Sequence, residues 1–139
     1  MSSPIVLVVD DSPTIRKIVE ITLKREGVQV VGAASGVLAL AALANAPPRL
    51  VLLDIMLPKV NGYQICWIIR RNPAYKHIPV VILSGKDGVF DKMRGKLVGA
   101  AEYITKPFEP RDLVRVVRKY VHSDSAEPVG TIPALARAG

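Results

Sequence analysis

The sequence predicts an α/β fold: a five-stranded parallel sheet with helices on both faces. Two observations carry this. Apolar runs of five or six residues, too short for helices, alternate with longer stretches of helical period. Right-handed crossovers then leave a parallel sheet covered on both sides as the way to bury such a chain. A third regularity adds to it: several apolar runs give out at a polar or acidic residue.

The first strand is "IVLVVD", and "VLVVDDSPT" from Val6 to Thr14 brings it directly onto two adjacent carboxylates, Asp10 and Asp11. Ser12 caps the helix that follows and Pro13 occupies its first turn, with Ile15, Ile18, Val19 and Leu23 on one face and Gly27 as its stop. "VQVVGA" is the second strand. "SGVLALAALANA" is the second helix, capped by Ser35 and ended by Pro47 and Pro48. "LVLLD" is the third strand, "IMLPKVNG" a loop and "YQICWIIRR" the third helix. "PVVILS" is the fourth strand, "VFDKMRGKLVG" a helix containing Gly95, and "AEYIT" the fifth strand. A last helix follows "KPFEP" and turns Leu113, Val114, Val117 and Val121 inward. The domain thus covers residues 1–121, and residues 122–139, rich in Pro, Gly, Ala and Ser without a stable period, form a flexible tail.

Composition excludes several classes. With 139 residues, 50% hydrophobic and 22% charged, the chain is long enough for one self-supporting core and too apolar for overall disorder. No apolar run approaches the roughly 20 residues that cross a bilayer, and "MSSP" lacks the basic start and apolar core of a secretion signal, so a cytoplasmic protein without membrane insertion is expected. The single cysteine, Cys66, is a small hydrophobe on an apolar helix face. The net charge of +7 is scattered, with no helix-turn-helix, zinc finger or arginine-rich arm to aim it, so direct nucleic-acid binding is not expected.

The chemistry gathers at the strand ends. Asp10 and Asp11, Asp54, Ser84 and Lys106 each stand where an apolar strand gives out. All strand carboxyl ends of a parallel sheet lie on one edge, where such sheets bind ligands, so these residues meet in one site. Taken singly they have bland readings as a helix cap, a turn former and a surface charge; their joint placement does not. Carboxylates about 4 Å apart repel by roughly 4 kcal/mol per pair at an effective dielectric near 20, which calls for a cation. With oxygen donors and no nearby His or Cys, Mg²⁺ suits better than zinc. The ion and Lys106 would offset charge on a transferring phosphoryl group, Ser84 would donate to it, and a facing carboxylate would be the nucleophile.

These residues resemble the receiver domain of bacterial two-component response regulators: the acidic pair at Asp10 and Asp11, "LLDIMLPKVNG" around Asp54, Ser84, and "YITKPF" with Tyr103 and Lys106, over residues 4 to 121. The resemblance implies the flavodoxin-like strand order 2-1-3-4-5, phosphorylation of Asp54, and Mg²⁺ held by Asp11, Asp54 and the backbone carbonyl of Met56, with Asp10 acting through water. It also implies that Lys106 pairs with the phosphate, that Ser84 moves towards it and Tyr103 swings inward, and that Lys106–Pro107 is cis. A histidine kinase or phosphotransfer protein would be the donor. The readout would be a protein target on the face of the fourth helix, fifth strand and last helix, where Lys92, Arg94, Lys96, Arg111, Arg115 and Arg118 either meet an acidic partner or remain solvated. Such a domain is a phosphoacceptor rather than an enzyme. The stretch from Asn72 to Phe108 is further similar to single-domain regulators of type IV pilus, twitching-motility chemosensory systems. Serine stands at position 84 where threonine is commoner, and Met56 and Lys86 border the path of the hydrolytic water, which bears on phosphate lifetime.

Other readings are weaker. A haloacid-dehalogenase-type phosphohydrolase needs a second acid at position 56, which is Met, and a Rossmann phosphate turn needs glycines where Asp10 and Asp11 stand. The rival from another class is a receiver-fold interaction module controlled by binding without phosphorylation. His77 and His122 are read as surface residues.

Overall fold

The computed structural model describes residues 4–85, 93–94 and 96–121. Strands β1 (Ile5–Val9), β2 (Gln29–Ala33), β3 (Leu50–Asp54), β4 (Val80–Ser84) and β5 (Glu102–Thr105) form one parallel sheet in the order β2-β1-β3-β4-β5. Helices α1 (Pro13–Lys24), α2 (Gly36–Asn45), α3 (Gly62–Arg71) and α4 (Pro110–Val121) cover it. Of the helix expected over 89–99, residues 89–92 and 95 lie outside the described residues, while Met93, Arg94, Lys96 and Leu97 are helical. The tail over 122–139 lies outside them entirely.

Strand alternation divides the core. Val6, Val8, Leu50, Leu52, Val81 and Leu83 point to one side, onto Val19 and Leu23 of α1 and Leu113, Val116, Val117 and Val121 of α4. Leu7, Val9, Val51, Leu53 and Val80 point to the other, onto Ala39 and Leu43 of α2 and Ile65, Cys66 and Ile69 of α3. Both faces of the central strands are thereby buried, which is why these strands read as unbroken apolar runs.

The caps follow local chemistry. Ser12, Ser35 and Asn61 each accept a backbone N–H of the first turn, from Ile15, Leu38 and Gln64. Asn61 starts α3 at Gly62, one residue before the expected start. Two expected inner faces shift. Ile18 is 41% exposed, so Ile15, Val19 and Leu23 make the inner stripe of α1. On α4, Val114 is half-buried while Val116, unassigned from the sequence, is buried. Sites three and four apart share a helix face, and with Leu113, Val117 and Val121 fixed inward, residue 116 falls on that face.

Candidate functional site

Each acid is placed by the end of a central strand and then held by the backbone that follows. The Asp10 amide donates to the Ala33 carbonyl, continuing the β1–β2 ladder one residue past the strand, and the Asp10 carbonyl accepts from Arg16 Nη1 at 2.7 Å. The Ser12 amide donates to Asp10 Oδ1 at 2.9 Å. Asp54 repeats this motif, its Oδ1 accepting from the Met56 amide at 3.0 Å. Both are Asx turns, in which the carboxylate satisfies the amide two residues on and is thereby oriented.

Gly62 lets the next helix come close. A Cβ there would lie 2.4 Å from the Asp54 carbonyl oxygen and 2.6 Å from Ile55 Cα, so only glycine permits α3 to start against the end of β3. Its amide donates to the Ile55 carbonyl, locking loop 55–61 closed behind Asp54.

The strand ends bring the expected residues together. One oxygen from each of Asp10, Asp11 and Asp54 lies within 4.8 Å of the others. Asp10 and Asp54 are buried, while Asp11 is exposed at the rim. Lys106 Nζ is 2.6 Å from Asp10 Oδ2 and 3.6 Å from Asp54 Oδ2. Ser84, 1% exposed, ends β4 in register with Thr105, one residue before Lys106, and its carbonyl accepts the Lys106 amide. The Lys106–Pro107 peptide is cis, as the resemblance implied. Tyr103, half-buried, packs against Ile55, Tyr63 and Ile82 beneath this edge, and Met56 is 74% exposed above it.

Burial raises the Asp54 pKa above its ordinary value. The Met56 amide opposes this, Asp10 adds to the rise, Lys106 opposes it and Asp11 adds further. A buried carboxyl with two acidic neighbours and one amine is a negative cluster, and its oxygen-only donor set suits a hard ion.

Around the site the expected basic face is partly neutralised. Arg111 pairs with Glu109 at 2.8 Å, Arg118 with Glu26 at 2.6 Å, and the Arg94 guanidinium lies 4.4 Å from the centre of the Tyr63 ring. Lys92 and Lys86 lie outside the described residues, as does His122; His77 is exposed. No helix among the described residues is long and apolar enough to cross a membrane. Arg16, the Asx amides and the Gly62 approach were not singled out from the sequence. The Asp-x-Ser spacing was a usable sign of the first Asx turn, but nothing local reveals which carbonyl Arg16 will reach.

Comparison with known proteins agrees with this geometry. The response regulator receiver domain family matches residues 6–118. The chain is 45% identical over 118 residues to protein PilG of Pseudomonas aeruginosa, covering 85% of this chain and 87% of that one. It is 37% identical over 123 residues to the DNA-binding response regulator MtrA of Mycolicibacterium smegmatis, covering 88% of this chain and 53% of that protein, so it spans about half of that relative's length. Among solved structures, the chemotaxis response regulator CheY4 of Vibrio cholerae superposes with a TM-score of 0.81 at 33% identity, over 86% of this chain and 99% of that one. A putative response regulator of Chloroflexus aurantiacus gives 0.83 at 33%, over 87% and 99%. With its sheet order, its acidic strand-end cluster and these matches, the chain belongs to the response regulator receiver domain family of two-component systems.

Proposed function

We propose that this domain is a phosphorylation-dependent switch whose acceptor is Asp54, fed by a histidine kinase or phosphotransfer protein. The observation that carries this is the convergence of three carboxylates within 4.8 Å beside the Lys106 amine and the Ser84 strand end. An Asp54 carboxylate oxygen attacks the phosphorus of a phosphohistidine. The new O–P bond forms as the P–N bond breaks, and the leaving imidazole takes a proton from water. The product is an acyl phosphate.

Asp11, Asp54 and the Met56 carbonyl are the residues to hold Mg²⁺, with Asp10 reaching it through water. The bound ion would supply charge neutralisation for the incoming phosphoryl group. Lys106 leaves its contact with Asp10 to pair with the phosphate, and the Ser84 hydroxyl donates to it. A phosphate near two negative charges binds one arrangement of Ser84 and Tyr103 better than the other, and the population shifts by that difference in affinity. Ser84 sits in register beside Thr105, two residues beyond Tyr103, which supports their moving together. The readout face is that of residues 93–97, β5 and α4. The likeness to PilG and to a chemotaxis regulator, with the stretch from Asn72 to Phe108, supports a role in pilus motility or chemotaxis.

The test is incubation with acetyl phosphate and magnesium, read by intact mass. Wild type should gain one phosphoryl group, and Asp54→Asn none. Equal uptake by the variant rejects Asp54 as acceptor, while no uptake by either protein, from acetyl phosphate or from kinases, favours a module controlled by binding.

A further inference from the structure

Between Asp54 and Asp87 the sequence holds no acidic residue, yet it holds Lys59, Arg70, Arg71, Lys76 and Lys86. Elsewhere on this protein several basic side chains have found acids: Lys17 pairs with Glu20, Arg111 with Glu109, Arg118 with Glu26 and Lys119 with Glu102. Among the described residues no carboxylate pairs with Arg70, Arg71 or Lys76. The carboxyl end of α3 is thus a concentration of positive charge without its counter-charge.

The outer side of the same helix is apolar at its centre. Gln64, Trp67, Ile68 and Arg71 are exposed and succeed one another at three- and four-residue intervals, one stripe of the helix. Trp67 is 48% exposed and Ile68 37%, while Ile65, Cys66 and Ile69 already fill the side that packs on the sheet. A bare tryptophan and isoleucine along a helical seam have the spacing by which one helix receives another.

The cations are held in place beside this seam. The Arg71 guanidinium lies 4.9 Å from the centre of the Trp67 ring, which fixes both side chains and leaves its N–H groups for a carboxylate. Arg70 turns the other way: its Nη1 donates to the carbonyls of Lys76 and Ile78, tying the following loop to the end of α3. The amides of Tyr75 and Lys76 donate to the Asn72 carbonyl, so the loop is a closed turn that presents Lys76 to solvent.

We infer that the outer face of α3, with Trp67 and Ile68 as apolar anchors and Arg71 and Lys76 as the charged end, docks an acidic amphipathic helix of a partner protein. Tryptophan and arginine are the residues that most often dominate such contacts. A symmetric contact with a second copy would set these cations against themselves. A membrane surface calls for a broad apolar face, and here the exposed apolar part is a narrow seam on a helix otherwise committed to the core. Phosphorylation of Asp54 is not required for this docking.

A synthetic helical peptide with leucines at every third and fourth position and glutamates on both flanks tests this against the full chain. Fluorescein-labelled, it should bind saturably by anisotropy; unlabelled, it should shift the emission of Trp67, the one tryptophan in the sequence, to the blue. Trp67→Ala should weaken the anisotropy titration by about tenfold or more, as loss of an aromatic anchor does. Arg71→Glu combined with Lys76→Glu, both at exposed positions, should release this peptide and admit its lysine counterpart, with the circular dichroism of wild type. Absence of binding by the glutamate peptide overturns the inference, as does equal binding of the lysine peptide to wild type. Loss of binding in Arg115→Glu, on α4, with none in the α3 double variant places the peptide elsewhere and overturns it. Binding to phosphatidylglycerol vesicles without binding to the peptide assigns the face to a membrane and overturns it too.

Discussion

Lys106 Nζ stands 2.6 Å from Asp10 Oδ2, a full ångström closer than to Asp54. The amine is therefore engaged chiefly with Asp10, although both acids are buried. Removing it in Lys106→Ala leaves Asp10 desolvated without its partner. Such a loss costs several kcal/mol in a buried pair, and about 3 kcal/mol is expected here because Lys106 is still 19% exposed. Urea unfolding without divalent ions measures it. Magnesium should recover more stability in the variant than in wild type, since the cation replaces the missing positive charge.

Asp54→Asn is expected to stabilise the domain at neutral pH, because it removes a buried charge with acidic neighbours. The sign follows from the raised pKa. Folding favours the protonated acid, so the contribution of Asp54 is best below its ordinary value of 3.8 and is lost as pH rises through the higher folded value. The variant's advantage should then shrink as pH falls towards 3.8, and thermal melts across that range in magnesium-free buffer would show it.

Magnesium itself should raise the melting temperature of wild type. At a hundredfold excess over its dissociation constant the gain is about 2.7 kcal/mol. Asp11→Asn, exposed and so safe for the fold, should lose most of that gain and chelation should abolish it. Equal magnesium shifts in the two proteins would count against Asp11 as a ligand.

Gly62→Ala should destabilise by about 2–3 kcal/mol, the scale of forced overpacking, since the added Cβ meets the Asp54 carbonyl at 2.4 Å and backbone cannot step aside as a side chain can. Because the clash falls on the acceptor's own peptide, phosphoryl uptake should drop more than folded fraction alone explains. Denaturant titration and intact mass on the same sample separate the two.

Cys66 should resist thiol reagents in the folded protein. Burial pushes its thiol up to about 11, its Sγ lies 3.6 Å from the Val98 carbonyl, and the thiolate is the reactive form. Modification should track global unfolding in urea, and rapid reaction under native conditions would contradict the packing of α3.

The sequence by itself determined the order of elements and the identity of the strand-end residues. Apolar runs such as "LVLLD" and "PVVILS" mark doubly buried strands, and Asp54 and Ser84 end them. Period and punctuation are local properties, so Ser12, Ser35 and the proline stops were readable in the same way. Only the tertiary structure decided that Lys106 lies nearer Asp10 than Asp54, that Asp10 is buried while its neighbour Asp11 meets solvent, that Val116 faces the core on α4 and that Ile18 on α1 does not. It likewise decided that a terminal carbonyl on α4 rests on Arg49, 72 residues away. Such relations depend on how distant strands align in register and how closely helices approach them, and those distances are set by packing summed over the whole core.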